Sequence, residues 1–401
     1  AVANACRGGT ARLRSWGTVF MDETSERRSL IALHLAPGLG PRHIARLVRV
    51  FGSATAAWGA PEPALRAVPG VKPRLAAVIA RERDRVDVDG ELRRAERAGA
   101  RVVTLLDAGY PARLRQLRDP PPVLYVRGTW PDSSVPAVAI VGTRRASAYG
   151  LGIAGALGQV VAGAGGVVIS GLARGIDAAA HAGALRAGGV TVGVLGCGVD
   201  VTYPPEHRSL IEAVRRQGAV VGELPMGTRP RPQQFPPRNR LVSGSSDAVI
   251  VVEGDVDSGA MITARFAVSQ GRPVFAVPGS VHAPSSRGPH RLLAEGAKIL
   301  AKPEDVLEVL GLSPQASRAP GAPDAGTCDQ VGPIEARVLA VLGEDAMHID
   351  AIVARTGCGA AAVAGALLAL EVNGLVRHLP GKHFVQARGV RSCWASGRPG
   401  Q

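Results

Sequence analysis

Between Val138 and Leu300 the chain alternates short apolar runs with helix-forming stretches, and this alternation restricts its fold more than anything else in the sequence. The segments VAIVGTRRASAYG (Val138–Gly150), VVISGLARGIDAAAH (Val167–His181) and VTVGVLGCGVDVTYPPEH (Val190–His207) each begin as a strand and leave it on a glycine-bearing turn. FPPRNRLVSGSSDAVIVVE (Phe235–Glu253), SGAMITARFA (Ser258–Ala267) and PVFAVPGS (Pro273–Ser280) complete a block of five predicted strands. Apolar strands separated by helices specify a parallel sheet covered on both faces. Ligands of such sheets bind beyond the strand carboxyl ends, where free backbone N–H groups suit phosphate. Arginines on several of these turns suit a chain of phosphates better than a single nucleotide.

The charge points the same way. The 401 residues carry a net charge of +14 and a pI near 10.6, which favours a polyanionic partner. The length allows two or three domains. Cys6, Cys197, Cys328, Cys358 and Cys393 are scattered and form no CxxC. That pattern argues against a zinc site and a disulfide framework and for a reducing, cytoplasmic setting. No secretory signal is recognisable at the start. From Ala146 to Ala173 no residue is charged, long enough on paper to cross a bilayer, yet the stretch is glycine-rich and breaks at GAGG. It reads as a helix of about 15 residues followed by a buried strand, with no membrane partner.

Along the chain, residues 1–28 lack a hydrophobic period and read as a disordered leader, with Met21 as a candidate start. Residues 29–100 read as a helical domain of helix-hairpin-helix (SAM-like) type. In it APGLGPRHIARLVRVFG (Ala36–Gly52) and VPGVKPRLAAVIA (Val68–Ala80) repeat the order apolar, Pro-Gly, apolar, basic amphipathic helix. Such turns either expose amides to phosphate or simply end helices in a docking domain; the second needs less, since a turn with positive φ requires Gly in any case. Residues 101–310 form the sheet core, introduced by the strand–helix–strand stretch Arg101–Gly128, which should pack on the sheet edge. A Pro/Ala/Gly-rich linker, 311–332, leads to a winged-helix-like unit, 333–388, and a mobile tail, 389–401. The recognition-helix position, Ala360–Val372, is almost uncharged, so this unit reads as a protein-contact or dimer module rather than a duplex reader.

Within the core, Gly142-Thr143-Arg144 offers close backbone approach, a hydroxyl and a planar phosphate-gripping fork. It is neither a GxGxxG fingerprint nor a P-loop. Ser170, Asp177 and His181 could be drawn as a hydrolytic triad, but no GxSxG elbow holds the serine, and Asp177 and His181 are placed for an i,i+4 hydrogen bond. Cys197 reads as a small apolar residue at a tight turn rather than a nucleophile. The stretch from Arg229 to Arg240 carries Arg229, Arg231, Arg238, Arg240 and Phe235. Phosphate-neutralising arginines beside a stacking ring are how sequence-independent single-strand binders work. The competing view is that Phe235 is core and that Arg238 and Arg240 tie down loops. With aromatics at 3%, phosphate contacts should dominate and binding should weaken steeply with salt.

The segments IVGTRRASAYG, SGLARGIDAAAH, VLGCGVDVTYPPEH, GELPMG, FPPRNRLVSGSSDAVIVVE, SGAMITA and GRPVFAVPGS, in this order, resemble the DNA-processing protein A (DprA/Smf) family over Ser29 to Leu310. YPARLRQLRDPPPVLYVRG is similar to the family's lead-in, and the C-terminal unit resembles the one many members carry. The resemblance implies an α/β fold with a Rossmann-like core. It also implies a cytoplasmic homodimer that binds single-stranded DNA without catalysis or cofactor, protects incoming strands in natural transformation and helps load the recombinase RecA. Carried onto this chain, Arg144 would hold phosphate, and Phe235, Arg238, Asn239 and Arg240 would line the strand path. The amides of Gly142, Thr143 and Gly171 would add donors. The chain departs from the family pattern at His207 and His290, usual Asn positions, and at Pro237, where a basic residue is frequent. Two rival readings stand. Phosphoribohydrolases resemble this core but rely on PGGxGTxxE, and SGAMITARFA lacks both the PGG and the Glu. A duplex-binding regulator would act through the winged helix.

Overall fold

The computed structural model describes residues 23–313, 332–343, 346–372, 375–379 and 381–386. Most of the expected leader, most of the linker and all of the tail lie outside these residues. The first helix, Glu23–Leu35, begins inside the segment read as leader. The chain divides into two compact units near residue 317.

The larger unit is built on a nine-stranded sheet: β1 (Ala100–Thr104), β2 (Val123–Gly128), β3 (Ala137–Val141), β4 (Val167–Ser170), β5 (Thr191–Leu195), β6 (Ala219–Gly222), β7 (Ala248–Val251), β8 (Val274–Ala276) and β9 (Lys298–Ile299). Their spatial order is β1-β2-β6-β5-β4-β3-β7-β8-β9. Pairing is parallel from β6 through β9, while β1 and β2 form an antiparallel hairpin-like pair added at the β6 edge. Two of the strands between Val138 and Leu300 were not expected. β6 is four residues long and follows an amphipathic helix closely, and β9 spans two residues, so neither offers a periodicity to read.

Alternation along β3 shows how the sheet is held. Ala137, Ala139 and Val141 feed one apolar cluster, and Val138 and Ile140 feed the cluster on the opposite face. Helices cover both faces, so the strands are apolar throughout. The uncharged stretch from Ala146 resolves into the helix Ala148–Gly163 and strand β4. Its glycines serve close helix packing. A Cβ on Gly158 would sit 2.2 Å from the Ala180 carbonyl oxygen of the helix Ile176–Arg186, and one on Gly183 would sit 2.1 Å from Gly155 O. Gly158→Val should therefore force these helices apart and lower stability by about 1–3 kcal/mol or more, read as a reduced denaturant midpoint. Unchanged stability would mean that the crossing is looser than described. Among the described residues no single helix is long and apolar enough to cross a membrane; the bent pair Ile349–Thr356 and Ala360–Glu371 passes on length and composition alone.

The N-terminal helices have their own core (Leu33, Ile44, Leu47, Leu65, Ile79). A second cluster joins them to the sheet edge, with Ile31, Val88 and Ala95 packed near Tyr125, Val199 and Met226. Both Pro-Gly turns of the internal repeat hold their glycine, Gly38 and Gly70, at φ +81°. The smaller unit holds helices Pro333–Val341, Ile349–Thr356 and Ala360–Val372 with a three-stranded antiparallel sheet, Met347–His348, Val376–Leu379 and His383–Gln386. That is winged-helix order. The fold is thus α/β, a Rossmann-like sheet with an N-terminal helical part and a C-terminal winged-helix unit.

Candidate nucleic-acid interface

Strand order runs outward from β3 in both directions, through β4 on one side and β7 on the other, which makes the crevice beyond β3 and β7 the switch point of the sheet. A cleft of about 530 Å³ opens there. Gly142, Thr143, Arg144, Gly171, Phe235, Arg238 and Asn239 all line it, so the structure brings together seven of the eight residues singled out from sequence.

The turn after β3 is positioned by an acid that the sequence reading had not singled out. The Glu253 carboxylate, buried at the end of β7, accepts from the Ser147 amide at 2.9 Å and from the Ser147 hydroxyl at 2.5 Å. Ser147 in turn caps the helix Ala148–Gly163 by accepting from Gly150 N. The Glu253 carbonyl accepts from Thr143 N at 2.8 Å. Gly142 must stay small, since its Cβ would lie 2.4 Å from the Ile176 side chain.

On this platform Arg144 is exposed and lines the cleft, its guanidinium 5.2 Å from the centre of the Phe235 ring. Arg238 approaches the same ring at 5.8 Å, and Tyr203 packs on it at 5.4 Å. Phe235 is half-buried, so part of the ring remains open to a stacking partner. No carboxylate lies within ion-pair distance of Arg144 among the described residues, and exposed Arg145 and Arg231 line the same cleft.

Other expected donors are engaged elsewhere. Arg238 is buried and donates to the Gly171 carbonyl at 2.7 Å and to the Val194 carbonyl. Gly171 lies against both Arg238 and Asp177; its Cβ would fall 2.5 Å from the Arg238 guanidinium and 2.7 Å from the Asp177 carboxylate. The Gly171 amide donates to Asp177 at 3.1 Å, so it and the Thr143 amide are not free phosphate donors, a correction to their expected role. Asn239 lines the cleft and donates from its side-chain amide to Gly259 O at 3.1 Å. Arg240 faces away. Its Nη2 donates to both carboxylate oxygens of Glu223, at 2.6 and 2.7 Å, and its Nη1 to Asp119 O, with the arginine side chain 7% exposed. Its expected phosphate contact is corrected to a buried ion pair. The departures from the family pattern are also engaged: His207 Nδ1 meets Leu172 O at 2.9 Å and His290 Nε2 meets Gly279 O at 3.1 Å.

The imagined triad does not assemble. The Ser170 hydroxyl donates to Ile140 O at 2.6 Å, and Asp177 accepts from the Gly171 and Ala173 amides. His181 Nδ1 sits 2.7 Å from Thr191 Oγ1. Because that hydroxyl donates to Val168 O, the imidazole is the donor, and the expected Asp177–His181 bond gives way to this longer-range pair. Burial pushes the Cys197 thiol up to about 11, which leaves it inert.

Burial also holds the His181 pKa down at about 3, helped by the nearby His207 and Arg238. A folded-state value below the unfolded 6.5 means that the unfolded chain takes up the proton first. Stability is therefore intact above about pH 6.5 and is lost as pH falls toward 3. At pH 4 the loss at this site should be about 3 kcal/mol. Denaturant titrations at pH 7 and pH 4 should show His181→Gln losing less over this interval than the parent chain; equal losses would remove His181 as a source.

Residues 101–311 match the family model for DNA recombination-mediator protein A, and residues 315–382 match that for the DprA winged helix domain. The Protein Smf of Synechocystis is 32% identical over 90% of this chain and 98% of its own length. The Protein Smf of Escherichia coli is 36% identical over 71% of this chain and 76% of its own. The crystal structure of DNA processing protein A from Streptococcus pneumoniae superposes with a TM-score of 0.62 at 31% identity, covering 71% of this chain and 98% of that one. With more than half of its residues in the family's defining region and a similar relative matched nearly end to end, the chain belongs to the DNA recombination-mediator protein A (DprA/Smf) family.

Proposed function

We propose that this protein binds single-stranded DNA in the cleft beyond β3 and β7 and breaks no bond in it. The reading rests above all on one observation: an exposed Arg144 that has no carboxylate partner among the described residues, set beside a half-open Phe235 ring at the switch point of the sheet. A phosphate can take the guanidinium while a base takes the ring face, an arrangement indifferent to sequence. Arg145 and Arg231 add charge along the same wall.

The phosphoribohydrolase alternative needs a carboxylate directed at a ribose. Phe266 occupies the position three residues beyond Thr263, and Asp177, the one acid lining the cleft among the described residues, is held by two backbone amides. Family membership and the family's description as recombination mediators support transfer of the bound strand to RecA during natural transformation. Val281, 79% exposed, and Ile299, 59% exposed, support a homodimer through the stretch that follows β8.

Binding of single-stranded and duplex oligonucleotides at two salt concentrations tests the proposal. Single strands should be preferred, with affinity falling steeply as salt rises. Preference for duplex, or release of sugar phosphate from a nucleotide, would overturn it.

A further inference from the structure

We infer that the N-terminal helices carry a second phosphate-binding surface, formed by Arg42, Arg46 and Arg49 of the helix Pro41–Phe51 together with Arg118, which holds the backbone of a single strand beyond the first cleft. The inference extends the proposed function and rests on it.

The helix is sharply two-faced. Ile44 and Leu47 are buried in the helical core, while Arg42, Arg46 and Arg49, at i, i+4 and i+7, share the opposite face. Arg118 joins them in one depression of about 300 Å³, so four guanidinium groups meet there with a single carboxylate, Asp119. Arg42 pairs with that carboxylate at 3.1 Å, but its side chain is 80% exposed, so the pair is weak and a phosphate can displace it. Arg46 donates one N–H to Pro69 O at 2.6 Å and stays exposed. Arg49 and Arg118 are exposed, with no carboxylate within ion-pair distance among the described residues. A solvated face ordinarily mixes signs evenly; this one sets four arginines against one carboxylate. Guanidinium forks, rather than ammonium groups, fit phosphate oxygens in pairs.

The surface is placed to continue the first cleft. A neighbouring cavity of about 670 Å³ shares Arg42, Arg118 and Asp119 with it and reaches Phe266, Ser269 and Gln270. Those residues end the helix Gly259–Ser269, whose first turn lines the first cleft. The first cleft and this neighbouring cavity thus lie at opposite ends of one helix, roughly 16 Å apart at 1.5 Å per residue, with the arginine row on the far side of the cavity. That is about two Debye lengths at physiological salt, so the arginine row cannot act on the first cleft through its field alone. An effect of the row on DNA requires contact.

The test uses the full chain, the triple variant Arg42→Gln/Arg49→Gln/Arg118→Gln and the matching triple Lys variant. Binding of oligothymidylate is measured with a strand of about 8 nucleotides, which fills one site, and one of about 40. For the long strand the Gln variant should lose about 2 from the salt slope, near 0.7 for each lost phosphate contact, and bind about ten- to fifty-fold more weakly at physiological salt. Its affinity for the short strand should stay within about twofold, and the Lys variant should recover most of the slope. An unchanged long-strand slope, or equal losses on both lengths, overturns the inference. Failure of the first-cleft reading would look different, since the unaltered chain would then not prefer single strands at all.

Discussion

Arg238→Ala should lower the stability of the sheet unit by about 3–5 kcal/mol and abolish single-strand binding, although Arg238 itself need touch no phosphate. Its guanidinium joins the carbonyl ends of β4 and β5 by donating to Gly171 O and Val194 O, and it lies in a buried pocket with Asp177. Truncation leaves two carbonyls without a donor and a buried acid without a compensating charge. Burial already pushes the Asp177 carboxyl above the usual range, and the arginine is the largest influence opposing it. Without Arg238 the carboxyl should rise further, so the variant's deficit should be full near neutrality and shrink as pH falls toward about 4 and the acid takes up a proton. Urea titrations at both pH values check magnitude and sign. Both carbonyls are served by one guanidinium nitrogen, Nη1, so truncation removes the two bonds together. A variant that unfolds with the parent would show that the rim is held by something else.

Arg144→Ala should instead leave stability within about 0.5 kcal/mol while still weakening single-strand binding tenfold or more. The side chain is exposed, has no ion-pair partner among the described residues, and is supported by a ring rather than by a network. One lost phosphate contact should lower the salt slope by about 0.7, and Arg144→Lys should restore the slope while recovering only part of the affinity. Binding that does not change would remove Arg144 as the phosphate contact.

These contrasting outcomes come from a detail that residue types do not reveal. Arg238 and Arg240 stand two apart in one motif, and the reading from sequence placed both along the strand path. The helix Phe235–Gly244 starts at that phenylalanine, since prolines are tolerated in a first turn. Residues two apart on a helix point about 200° away from each other. Arg238 therefore faces the cleft side and Arg240 the opposite one, where Glu223 receives it. Asn239 turns toward Gly259 instead. The Thr143 and Gly171 amides fail as donors for a related reason: each is already answered by a group far along the chain or across the turn.

From sequence alone come the parallel sheet, the glycine-bearing turns at its strand ends, the helical and winged units that flank it, and the excess of positive charge. All of these follow from local composition and period, because a strand or helix is specified by neighbouring residues. Which polar groups face the cleft was decided only in three dimensions. Glu253 fixes the Ser147 turn from 106 residues away, and Arg240 reaches Asp119 from 121. A buried hydrogen-bonding group must find a partner wherever the chain brings one, so only the folded molecule separates the arginines that build the rim from those left free to bind.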